Sequence, residues 1–165
     1  PMTDKQSFTT EEWTKILMSP TIAGMAITAA DPSGLWGMLK ESFASGTALV
    51  AAKTDPGANP LVKAVVADFA TADGRGEIKE ALRTRFAGAE PGDIVPRTLA
   101  ALTEVAGILD AKAPDDAAAF KAWLEEISKK VAEASKEGGF LGFGGVKVSD
   151  AEKATLTDIQ KTLST

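Results

Sequence analysis

A chain of 165 residues with a formal charge of −5 and no histidine, cysteine or tyrosine has the length for a single domain with a sizeable core and needs no disulfide or metal staple. The three absences remove the proton switch near neutral pH, the thiolate, the phenol and most soft metal ligands, and with them most familiar catalytic toolkits. The acidic balance argues against general nucleic-acid binding, which needs a basic face to displace counterions from phosphates.

Pro1 ahead of Met2 reads as the remnant of a cleaved expression tag, and residues 1–8 as a loose N-terminal segment. Glu11 and Glu12 stand where a signal peptide would carry lysine or arginine, and the lack of cysteine fits a reducing compartment. The expected location is therefore cytoplasmic. The most apolar region, Ile22 to Leu39, is broken by Asp31, Pro32 and Ser33, so neither half approaches the roughly 20 residues that span a bilayer.

Thr9 and Glu12 form a capping box, with Phe8 and Trp13 at the two positions of a hydrophobic staple, which predicts a first helix from Thr10 to Met18. Ser19 followed by Pro20 predicts a second helix to Ala30, because proline is well placed at the first helical position. Asp31-Pro32 repeats that grammar and opens a third, Pro32 to Lys53, with Leu35, Leu39, Phe43 and Val50 along one side. Asn59-Pro60 opens a fourth, carrying Leu61, Val65 and Phe69 at helical spacing.

A fifth helix, about Arg75 to Phe86, is striped by Ile78, Leu82 and Phe86, with Asp73-Gly74 as its cap and turn. The sixth begins at Asp93 or Pro96 and runs to Ala111 with a seam of Val95, Leu99, Leu102, Ala106 and Leu109. Pro114 opens the seventh, which faces Phe120, Leu124, Ile127 and Val131 inward and ends near Lys136. After a glycine-rich stretch, Ser149 and Glu152 form a second capping box before Leu156, Ile159 and Leu163. No period-two alternation with hairpin turns occurs. The expected class is all-α: a single compact bundle-like domain over residues 1–165, of about seven or eight helices.

Five places could carry chemistry. The segment Gly138 to Gly145 is glycine-rich, but it lacks the preceding strand and the terminal Gly-Lys-Ser/Thr of a phosphate loop. Gly138 or Gly139 would be a left-handed C-cap, with Phe140, Leu141 and Phe143 either plugging the bundle end or docking on a partner. Asp68, Asp73, Glu77 and Glu80 offer oxygens suited to a hard cation, yet read equally well as caps and helix-terminal charges, so no metal is expected.

Arg75, Lys79 and Arg83 fall at i, i+4 and i+8, a stripe able to contact an anion or an acidic helix, or simply a solvated face. Trp36, Phe43 and Phe69, with the small residues after Pro20, could line a pocket for an apolar small molecule or fill the core. The serines have no histidine base, and no serine–lysine motif is recognisable. No catalytic residue and no cofactor are therefore assigned.

Gly144-Gly145-Val146-Lys147-Val148-Ser149-Asp150-Ala151-Glu152-Lys153 resembles the helix-turn-helix ends of TerB-like tellurite-resistance domains. That family carries Asp-Gly before its turn and acidic metal ligands around it. Gly144-Gly145 stands here in place of Asp-Gly, and the resemblance covers about the last thirty residues, which a capping box alone would produce. It carries no claim of membership.

The functional expectation is a non-catalytic helical protein that works through protein contacts or self-association. The alternatives are a carrier or sensor of a small apolar ligand, and a metal-responsive module with oxygen ligands.

Overall fold

The computed structural model describes residues 5–30, 59–136 and 150–164. These hold six α-helices, α1 Thr10–Ala30, α2 Pro60–Phe69, α3 Ala72–Arg85, α4 Ile94–Lys112, α5 Pro114–Lys136 and α6 Asp150–Leu163, with two 3-10 turns, Lys5–Ser7 and Pro91–Asp93. No strand occurs among the described residues, so the class is all-α as expected. The helix count falls below the seven or eight expected. One reason is that the first two expected helices are a single helix, Thr10–Ala30; another is that the helix expected over 32–53 lies outside the described residues.

The box and staple at the start of α1 form as the sequence implies. The Glu12 amide donates to Thr9 Oγ1 at 3.1 Å and the Thr9 amide to Glu12 Oε1 at 2.9 Å, while the Phe8 and Trp13 rings lie 6.0 Å apart. Ser19 and Pro20, however, start no new helix: α1 runs straight through them for 21 residues. Proline has no amide for the Ile16 carbonyl four residues back. The Ser19 hydroxyl donates to that carbonyl instead, at 2.6 Å. The serine-proline pair that reads as a cap is an internal repair.

Burial supports the same helix from outside. Every residue of α1 from Ile16 to Thr28 is buried, and a helix that is apolar all round belongs at a core centre. Accordingly α1 packs against each of the other five helices. The core cluster draws Ile16, Leu17, Ile22 and Ile27 from α1, with Leu61, Ile78, Leu102, Phe120 and Ile159 from the five others. Ser128 of α5 fixes the register of two of these layers by donating to the Ala23 carbonyl at 2.9 Å.

Asn59 caps α2 as expected, its Oδ1 accepting from the Leu61 amide at 2.8 Å, and its Nδ2 reaches Asp116 at the start of α5 at 2.7 Å. The cap of α3 is Thr71, whose Oγ1 accepts from the Gly74 amide at 2.9 Å, so Asp73 and Gly74 lie within the helix rather than before it. The junction is tight. A β-carbon on Gly74 would sit 1.9 Å from the Asp68 carbonyl oxygen, which is why only glycine serves at this crossing.

In α4 the buried face is Ile94, Thr98, Ala101, Leu102, Val105, Ala106 and Leu109, while Val95 and Leu99 of the expected seam are half-buried at its edge. Thr98 takes its place on the buried face because its hydroxyl donates to the Val95 carbonyl at 2.6 Å, so a nominally polar residue enters the core with its donor satisfied. Among the described residues no helix is long and apolar enough to cross a membrane.

Candidate functional site

The first two turns of α1 and the body of α3 lie side by side. Glu11, Thr14, Lys15 and Met18 fall at i, i+3, i+4 and i+7 on one helix, and Glu77, Glu80, Ala81, Thr84 and Arg85 keep the same spacing on the other. Between these two ridges runs an open cleft of about 690 Å³. Its lining is mostly apolar, with Met18 buried and Ala81 half-buried along it.

Both cations of the cleft are already engaged. Glu104 of α4 takes Lys15 Nζ on one carboxylate oxygen at 3.2 Å and Arg85 Nη2 on the other at 2.7 Å. Burial opposes ionisation of Glu104, but the hydrogen bonds from Arg85 and Lys15 outweigh it and hold the carboxyl below its ordinary value. A carboxylate held by two cations is ionised at neutral pH, and no proton donor or acceptor poised near pH 7 results.

The acids of the cleft are freer. Glu11 is 83% exposed at its side chain and stands 3.8 Å from Lys15. Glu80 is 69% exposed and pairs along its own helix with Arg83 at 3.2 Å, and Glu77 is half-buried on the α3 wall. With Arg85 held by Glu104 and Lys15 shared between Glu104 and Glu11, carboxylates outnumber cations along the lining.

The residues singled out in the sequence distribute unevenly. Trp36, Phe43, Phe140, Leu141 and Phe143 lie outside the described residues. Phe69 is partly buried at the end of α2 and packs against the core cluster. Arg75, Lys79 and Arg83 are all exposed on α3: Arg75 Nη1 donates to the Ala70 carbonyl at 2.8 Å, tying up the end of α2, and Arg83 turns to Glu80.

The four acids around the α2–α3 junction part company. Asp68 accepts from Trp13 Nε1 at 2.7 Å and faces Lys5 at 3.5 Å, Asp73 sits in the first turn of α3, and Glu77 and Glu80 belong to the cleft. Among the described residues no group of three or more acids could hold a metal ion.

Lys15, Met18, Ala81, Thr84 and Glu104 escaped sequence reasoning. The α3 wall left a faint signal in the helical spacing of Glu77, Ala81 and Arg85. Nothing local ties that wall to Lys15 or Glu104, since the link is made only by packing. Compared with protein-family models, with curated proteins and with solved structures, the chain finds no match.

Proposed function

We propose that the protein is a non-catalytic helical module whose work is protein contact, made through the cleft between α1 and α3. The observation that carries this reading is the division of labour in the cleft: Glu104 holds Arg85 and, with Glu11, Lys15, while the mostly apolar lining is open and the rim acids Glu11 and Glu80 keep only exposed pairings. Such a surface recognises shape and charge and has no activated group with which to transform what it binds. Cysteine-free composition is compatible with a reducing cytoplasm, the compartment in which we place that contact.

Native mass spectrometry of the protein purified from its own host tests the proposal. The expected spectrum contains a stoichiometric complex with a second polypeptide, either another protein or a second copy, and the complex disappears when Thr84→Trp obstructs the cleft. A small apolar molecule carried by the monomer would replace this reading with a carrier, and a bound metal would replace it with a metal-responsive module.

A further inference from the structure

Resting on that reading, we propose that the occupant of the α1–α3 cleft is a basic amphipathic helix of a partner protein. Two helices that lie side by side with i, i+3, i+4, i+7 ridges form the groove into which a third helix packs, ridge into groove. From Glu77 to Arg85 the wall runs about 12 Å at helical rise, which seats a helix of two to three turns. The apolar part of the lining takes one side of that helix. Ala81, a small residue in the lining, leaves room for a branched apolar anchor.

Charge sets the rest of the occupant. Glu11 rises on the α1 wall and Glu77 and Glu80 on the α3 wall, so a helix seated between them meets carboxylates on both flanks. Of the cations in the cleft, Arg85 is held by Glu104 at 2.7 Å, and Lys15 is shared between Glu104 at 3.2 Å and Glu11 at 3.8 Å. Among the described residues Glu77 has no ion pair, and Glu11 and Glu80 keep only exposed ones, to Lys15 at 3.8 Å and Arg83 at 3.2 Å, so an acidic helix would be repelled from this rim whereas lysine or arginine beside the apolar anchor completes it. Arg83, which pairs with Glu80, is 65% exposed and on the same helix. It can be displaced at little cost.

The test titrates the full chain with two synthetic peptides of 14 residues, both with a leucine stripe at helical spacing, one flanked by lysine and the other by glutamate. The lysine peptide binds, and Glu77→Gln with Glu80→Gln weakens it by about fivefold, as two rim ion pairs would. The same loss of charge placed elsewhere, at Glu126→Gln with Asp158→Asn, leaves affinity within twofold, and Thr84→Trp abolishes binding without lowering the melting temperature. Equal weakening by both charge pairs, or undiminished binding to Thr84→Trp, would mean diffuse attraction to an acidic protein and would overturn the proposal. Tighter binding of the glutamate peptide, blocked by Thr84→Trp, overturns the basic occupant while leaving the cleft a docking site. Binding of neither peptide also overturns the basic helix, and the docking reading then stands or falls by the native complex.

Discussion

The Ser19 hydroxyl donates to the Ile16 carbonyl across 2.6 Å, the same carbonyl that Pro20, lacking an amide, leaves without its helical partner. Because both residues are fully buried, no water replaces the bond if the hydroxyl is removed. Ser19→Ala should therefore destabilise by about 1–3 kcal/mol, the penalty of an unsatisfied buried carbonyl. In a Pro20→Ala background an amide returns to Ile16, and the same serine substitution should cost less than half as much. Denaturant melts of the four proteins close the cycle. Equal costs in both backgrounds would show that the hydroxyl does not substitute for the proline amide.

Two glycines of α3 should respond in opposite directions. Gly74→Ala pushes a β-carbon to within 1.9 Å of the Asp68 carbonyl oxygen, and the displaced junction should cost about 1–3 kcal/mol. Gly76 has nothing within 4 Å of the corresponding atom, so Gly76→Ala should gain up to about 1 kcal/mol from helix propensity alone. Thermal melts of the two variants decide the matter. A stabilised Gly74→Ala would show that α2 and α3 do not meet as described.

Glu12 and Glu104 both titrate below the ordinary value of 4.5. For Glu12 the cause is first the hydrogen bond from Lys112, then the Thr9 amide; for Glu104, burial is outweighed by Arg85 and Lys15. A depressed folded value means that the stability these groups add is present above pH 4.5 and lost as pH falls through the lowered values. Glu104→Gln should remove about 1 kcal/mol at pH 7 by leaving Lys15 and Arg85 without their shared anion. Its stability should then fall less steeply on acidification, so that the two curves converge below pH 4.5. Parallel curves would show that Glu104 carries none of the acid sensitivity.

What the sequence reveals is what neighbouring residues decide between themselves. Thr9 with Glu12 and Asn59 with Pro60 mark helix starts because each cap is completed within a few residues. Ser19-Pro20 uses the same residue types, and only burial of the surrounding turn distinguishes a repaired helix from a new one. Thr98 hides for a related reason: its hydroxyl is satisfied by its own helix, so polarity misleads about which face is inside. Of the cleft, only the helical spacing of its α3 wall was within reach. Its walls are tied through a third helix, where Glu104 takes Lys15 of one wall and Arg85 of the other, and no periodicity in either wall names the other.

The most direct measurement places a photo-crosslinking benzoylphenylalanine at Thr84, inside the cleft, and at Ala122, exposed on α5, in the protein as expressed in its own host. Irradiation should join the Thr84 protein to one discrete polypeptide and leave the Ala122 protein uncoupled. A discrete product from Ala122 with none from Thr84 would contradict the account, because contact would then be made on a face other than the α1–α3 cleft.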